Sequence, residues 1–422
     1  MSNKDATEHM DEKTGDAGLK KKLRRAERNQ KIRAFSLVAP LIVFILVAFI
    51  FPIVLIIFRS ADDPVPLRAI PRTLRALESW SPPALPKETT YETLAEELLQ
   101  SRETGDLGKL ATRLNYDVPG SRSAITRAAR VVRRGPSEGQ TYLDLFEKTD
   151  DQWGHPEIWA GLKALDSPYT ASYYLAAADL KRNVDGDIEA KPKGERIYLS
   201  LFFKTLWVSA LVTAVCIVLA YPIAYQLAIL RASIANLLII LVLLPFWTPL
   251  LVRTTSWIVL LQSHGVLNDI LVALGVLSDD GRIQLIYNMF GTIVAMSHIL
   301  LPFMILPLYS VMKTIPANYM RAAKSLGATP ARAWISVYLP LTLPGLGAGS
   351  VLVFIQCIGY YITPALVGGR TGQLISSSIA YHMQTSLNWG LAAALSSILL
   401  ICVLAIYLLY NRLAGVDSLK MG

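Results

Sequence analysis

A handful of side chains in this sequence are equipped to meet a solute, and they sit in apolar surroundings. Phe246 and Trp247 lie between Pro245 and Pro249, and Arg253 follows in the same run. In another apolar run Gln356 and Tyr360 stand one helical turn apart, with Tyr361 next in the chain. His298 occupies a third. Aromatic faces, an amide and a guanidinium offer weak, reversible contact to a passing molecule. The sequence holds no GxxxxGK[ST] phosphate loop, no GxGxxG and no HExxH. No catalytic or metal-ligating residue is expected, and the chain carries no energy source of its own. Cys216, Cys357 and Cys402 fall inside apolar runs and read as core or lipid-facing residues.

Each of these residues also has a plainer reading. The aromatics pack, Gln356 bonds a neighbouring helix, and Tyr360 and Tyr361 anchor at the membrane interface. Arg253 is too costly to leave facing lipid, so it snorkels, pairs with a partner subunit or meets the solute. His298 is a packing residue or a proton relay.

A second group lies in RAAKSLGATPARAWISVYLP, residues 321–340. Between Lys313 and Leu343 there are four Lys or Arg and no acid. Pro316 suits a first helical turn. Tyr319, Ala322, Ala323 and Leu326 then share one face at i, i+3, i+4 and i+7, with Arg321 and Lys324 turned away. Gly327 suits a left-handed helix end. Thr329 and Pro330 form an N-cap and N1 pair for a second helix, which Pro340 is expected to stop. Spacing leaves two uses open: an amphipathic helix on the membrane face, or a protein docking element.

The elements that must hold these groups are membrane spans. The chain of 422 residues is 53% hydrophobic and 17% charged, with a positive mean hydropathy, which is membrane composition. The net charge of +9 is spread near the edges of apolar runs. That is topology rather than a polyanion site, so nucleic acid is excluded as a partner. Residues 1–33 form a basic arm expected to lie in the cytoplasm. A first span covers 34–58, too long and too far behind a charged leader for a signal peptide. Residues 59–197 read as a mostly helical soluble insert, with helical pieces at ETTYETLAEELLQ, PEIWAGLKAL and TASYYLAAADL. The core, 198–413, has five more spans at about 202–229, 236–261, 285–311, 344–364 and 391–410. A tail covers 414–422.

The fold class expected is an all-α polytopic membrane protein with six spans. Both termini and the basic loop 313–343 fall inside, and the insert falls outside. The short loops agree, since inside loops carry six Lys or Arg and outside loops only Arg282 and Arg370. Membrane lipid is the surrounding partner.

The hairpin pattern resembles the EAA loop of ABC importer permeases, on Ala322, Ala323, Gly327, Val337, Leu339 and Pro340. The usual first Glu is Arg321 here. LLPFWTPLLVRTTSWIVLLQ, LPFMILPLY, GSVLVFI and TPALVGG are similar to the spermidine/putrescine permease family, over about 200–413. The resemblance implies a coupling element built from Tyr319, Arg321, Ala322, Ala323, Leu326, Gly327, Ala328, Leu339 and Pro340. It also implies a second homologous permease, two ATPase subunits that use the ATP and Mg, and a periplasmic solute-binding protein, in a bacterial inner membrane. This chain needs no cofactor itself. A polyamine is the solute expected, with an opine or amino-acid-like solute as the alternative. A Gly-Asp-Phe-like triplet seen in many relatives is Gly359-Tyr360-Tyr361 here, and spans 2 to 6 hold no Asp or Glu. Two other classes are weighed. A secondary transporter predicts intramembrane acids and no docking hairpin, and a membrane-anchored sensor or scaffold places the function in 59–197.

Overall fold

The computed structural model describes residues 28–31, 33–183 and 186–414. Nearly all of the basic arm and the tail lies outside the described residues. The chain divides after Phe58 into two units. The first holds an apolar helix, α1 (Arg28–Arg59), with a π turn at Leu46–Ile50. At 32 residues it is about 48 Å long, enough to cross a bilayer with tilt.

The second unit begins with the insert, where the three expected helical pieces appear. The helices are α2 (Val65–Ala69), α3 (Pro71–Glu78), α4 (Glu88–Thr104), α5 (Leu107–Asp117), α6 (Ser121–Val131), α7 (Tyr142–Thr149), α8 (Pro156–Lys163) and α9 (Ser172–Ala177). A short antiparallel pair that sequence reasoning missed, β1 (Leu180–Arg182) and β2 (Ile188–Ala190), follows. Leu77, Leu98, Leu114, Phe146, Trp153 and Trp159 are buried around Tyr91, which meets Trp159 edge-on at 4.6 Å. Several polar groups inside are matched, although Trp153 Nε1 and Ser121 Oγ have no partner among the described residues. Trp159 Nε1 and the Tyr91 hydroxyl donate to the Trp153 carbonyl at 3.1 and 3.2 Å. Buried Glu97 accepts from the amides of Arg72 and Thr73, capping the start of α3. Arg113, 3% exposed, bridges Asp63 and Asp117.

The core helices are α10 (Tyr198–Ile229), α11 (Ala232–Trp247), α12 (Leu250–Leu261), α13 (Val266–Ala273), α14 (Met289–Thr314), α15 (Ala317–Ser325), α16 (Pro330–Gly359), α17 (Ile362–Val367), α18 (Ile375–Gln384) and α19 (Trp389–Ala414). Six helical segments among the described residues are long and apolar enough to cross a membrane. Helices α10, α14 and α16 form the centre, through Val212, Cys216, Met304, Leu308, Val353 and Cys357. Gly345 and Gly349 permit the closest approach of α16 to α14. A Cβ at Gly345 would stand 3.0 Å from the Pro307 carbonyl, and one at Gly349 would stand 2.8 Å from the Met304 sulfur.

Insert and core share one unit. Asp179 accepts from the amides of Ile197, Tyr198 and Leu199 at 2.8–3.2 Å, so an insert carboxylate caps α10. Tyr173, Ala176 and Ala177 pack with Phe202, Leu391 and Leu395. The Asn388 side-chain amide donates to the Tyr116 hydroxyl.

Three expected boundaries are corrected. The span expected at 236–261 is two helices, α11 and α12. Pro249 has no N–H and forces Thr248 to extended backbone, with ψ at 138°. The span expected at 344–364 ends at Gly359, and Ile362–Val367 is a separate short helix. Pro340 does not stop the second hairpin helix. A π turn at Trp334–Tyr338 precedes it, with the Leu339 amide bonding the Trp334 carbonyl five residues back. The wider turn takes the preceding carbonyl away from the proline ring, and the helix runs on from Pro330 to Gly359.

Candidate functional site

The hairpin is built as its residues dictate. Helix α15 ends in a paired-bond turn: the Ala328 amide donates to the Ala323 carbonyl at 3.1 Å and the Gly327 amide to the Lys324 carbonyl at 3.0 Å. Gly327 has φ of +86°, a conformation that disfavours any side chain. Thr329 accepts from the Arg332 amide at 3.4 Å, with Pro330 at N1. Arg321 bonds Asn318 on its own helix.

The two arms differ. The second is anchored to α10: Trp334 meets Tyr221 edge-on at 5.5 Å, and Tyr338 meets Tyr225 at 5.4 Å. The Tyr221 hydroxyl lies 3.1 Å from Thr342 Oγ1. The first arm has no fully buried residue, and only Met320 packs partly against the core. Tyr319 is 51% exposed and Leu326 89%. An apolar face left open on a basic helix is a docking surface in form. Leu339 and Pro340 lie outside that face, in the helix joining it to the core. That helix, α16, is continuous over 30 residues, about 45 Å, and leads from the hairpin into the core.

Around the helix break, Phe246 packs edge-on against Phe303 of α14 at 5.0 Å. The Arg253 Nη2 donates to the Thr248 carbonyl freed by the break, at 3.1 Å, and the guanidinium lies 5.9 Å from the Phe246 ring. One turn further along α12, Trp257 Nε1 donates to His298 Nδ1 at 3.2 Å, so that nitrogen is an acceptor. Thr254 and Thr363 place their hydroxyls 3.2 Å apart.

The structure therefore brings Phe246 and Arg253 together. Trp247 turns away and is 73% exposed. Gln356 is exposed and makes no side-chain hydrogen bond among the described residues. Tyr360 lies just past the end of α16, half-buried, its carbonyl accepting from Ser376 Oγ at 2.6 Å. Tyr361 is partly exposed beside it. Sequence reasoning missed Thr248, Thr254 and Thr363, whose hydroxyls and carbonyls do the local bonding. Thr248 was legible as the residue between Trp247 and Pro249.

Residues 205–415, half of the chain, match the model of the family described as binding-protein-dependent transport system inner membrane component. The chain is 33% identical over 220 residues to the spermidine/putrescine transport system permease protein PotB of Haemophilus influenzae, covering 51% of this chain and 76% of that protein. It is 34% identical over 225 residues to PotB of Escherichia coli, covering 53% and 81%. The molybdenum transport system permease protein ModB of Mycobacterium bovis is 30% identical over 198 residues, covering 47% and 72%. The family match leaves out the insert and α1. These relatives are transport subunits rather than enzymes. The chain belongs to the family of binding-protein-dependent transport system inner membrane components, and it is a multi-pass inner-membrane permease subunit of an ABC importer.

Proposed function

We propose that this permease passes a polyamine delivered by a periplasmic solute-binding protein, and that ATP hydrolysis on partner subunits drives it through the α15 hairpin. In this reading two ATPase subunits hold the ATP and Mg, and a second, homologous permease completes the channel. Both termini and the hairpin face the cytoplasm, and the insert faces the periplasm. The observation that carries the coupling role is the open apolar face of α15, joined through one helix to the membrane core. Tyr319, Ala322, Ala323, Leu326, Gly327 and Ala328 supply the docking surface. Arg321 stands where a Glu is usual and turns the local charge positive.

The polyamine assignment rests on the two PotB relatives. The aromatic groups Phe246, Trp247, Tyr360 and Tyr361 offer a cation contacts of about 0.5–2 kcal/mol each. Gln356 adds an uncharged hydrogen-bonding group on the same path. This is a weakly binding route, with selectivity left to the binding protein. A carboxylate-bearing solute, opine-like or amino-acid-like, is the second reading, and Arg253 beside Phe246 favours it.

The test is Gly327→Asp in the whole transporter. A side chain at φ of +86° costs about 1–2 kcal/mol and distorts the turn between the arms. Membrane insertion should stay normal while ATPase-subunit recovery and uptake fall about tenfold. Unchanged pull-down and uptake would sink the coupling role. Competition of labelled spermidine uptake by excess putrescine, but not by amino acids or opines, separates the two solute readings.

A further inference from the structure

Arg253 lies level with the middle of α14, a helix long and apolar enough to cross a membrane. Helix α14 starts at Met289, and its Phe303, the ring that meets Phe246, lies fourteen residues in, about 21 Å along a helix of 26 residues. His298, bonded to Trp257, lies about 14 Å in. Arg253, one turn before Trp257 on α12 and beside Phe246, is held between these depths. A charge there is expensive unless it is paired.

Among the described residues no carboxylate is paired with it. Among the six long apolar helical segments, the one acid is Asp269, in the far part of Leu250–Ala273. Between residues 198 and 414 the acids are Asp269, Asp279 and Asp280. Arg282 already holds Asp269 at 2.6 Å and Asp279 at 2.9 Å, in the loop beyond α13. Of the five N–H donors of Arg253, one reaches the Thr248 carbonyl. Its Nε is buried with no partner among the described residues. On the same helix Leu251, Val252 and Val259 are exposed on one face, and Ser256, which shares the Arg253 side at i+3, is exposed as well, so α12 is left partly uncovered.

Resting on the second permease of the proposed function, we infer that Arg253 pairs with a carboxylate carried at mid-membrane depth by a different permease chain, across the subunit interface. A second copy of this chain does not serve, because its one acid in such a segment, Asp269, is held by Arg282, and it brings another guanidinium. Lipid phosphates lie at the headgroups, about 15 Å from the midplane. A polyamine is itself a cation. The partner's carboxylate would also stand beside Phe246, supplying to the path the acid that a polycation favours and this chain lacks.

The complete transporter, purified through a tag on this chain, gives the test. Arg253→Glu should lower recovery of the second permease about tenfold or more, while Arg253→Lys retains most of it. In the Arg253→Glu background, Asp or Glu residues in the second permease's spans are changed singly to Lys. One such change should restore recovery to within about threefold of the parent. Arg253→Met is the control for misfolding. Normal recovery and normal uptake in Arg253→Met would overturn the pairing. So would normal recovery with loss of uptake confined to carboxylate-bearing solutes, which would assign the guanidinium to the solute. A pair made of two copies of this chain, or a second permease with no acid in its spans, would also overturn it. Recovery of the second permease does not depend on which solute is carried, so failure of the polyamine assignment alone leaves this measurement intact.

Discussion

The insert and the hairpin are both small helical pieces attached to the same membrane core, and they treat their apolar residues in opposite ways. The insert closes Trp153, Trp159, Tyr91 and Phe146 into a core and satisfies Glu97, Arg113 and Asp63 within it. The hairpin leaves Tyr319 and Leu326 in the open. One region is finished by its own residues, and the other needs another surface to be finished. On the proposed function, the difference separates what folds this protein from what couples it to its ATPase. Residues whose loss harms the insert should act through stability. Residues whose loss harms the hairpin should act through assembly and transport, with little change in the stability of the chain alone.

The strongest way to break that comparison is Arg113→Met. The guanidinium donates to both Asp63 and Asp117, and to Thr170 Oγ1 at 3.0 Å. Asp63 is 4% exposed. Burial pushes the Asp63 carboxyl above its usual range even though Arg113 pulls it down. Removing the arginine leaves two carboxylates buried together, which costs about 3–5 kcal/mol. The variant should lower the thermal unfolding midpoint of the insert, read from proteolysis of residues 60–197 with temperature. An unshifted midpoint would mean that the insert is not held by its own interior, and the contrast with the hairpin would fail.

The converse test is Leu326→Ser. Its side chain is 89% exposed, so the isolated chain should unfold as the parent does, within about 0.5 kcal/mol. Recovery of the ATPase subunit should fall severalfold, in line with about 1–2 kcal/mol lost at an apolar anchor. If recovery is unchanged while the midpoint drops, Leu326 is a folding residue and the hairpin is no different in kind from the insert.

Local signals carried most of this organisation. The apolar runs, the left-handed Gly327 and the Thr329–Pro330 cap are each set by a few adjacent residues, and they stand where spacing puts them. Proline was legible as an interruption, but its consequence was not. Pro302 and Pro307 sit inside an unbroken α14, Pro249 opens a break, and Pro340 is absorbed by a π turn. Which outcome holds depends on how the neighbouring turn can rearrange, and composition does not encode that. The short β1–β2 pair has no alternating apolar pattern to announce it, since Ile188, Glu189 and Ala190 are all exposed. The joint between insert and core was invisible for a different reason. Tyr116 and Asn388 are 272 positions apart, and Asp179 reads as one more surface acid until α10 is seen above it. In the candidate path, residue types were legible but not their directions: Trp247 and Phe246 are adjacent, yet only Phe246 packs inward.

The joint supplies the finest test of the comparison, because it is where the self-sufficient region meets the core. His382 on α18 sits there, with Nε2 3.0 Å from the Tyr198 hydroxyl and Nδ1 2.9 Å from Ser386 Oγ. Burial lowers its pKa below the ordinary histidine value, so the folded protein favours the neutral ring. The sign follows: the stability this histidine contributes is complete above the unfolded value of about 6.5 and is lost as pH falls below it toward the lower folded value. Hydrogen exchange in peptides covering 198–202 and 382–388, corrected for the intrinsic rate, should quicken modestly between about pH 7 and pH 5. His382→Gln keeps hydrogen-bonding capacity without titrating in that window and should remove the pH dependence. Acid-quickened exchange that persists in His382→Gln would place the titrating group elsewhere. No acid effect in either protein would mean that the joint tolerates a charged imidazole, and that insert and core are held together by the Asp179 cap, the Tyr173 packing and the Asn388–Tyr116 hydrogen bond.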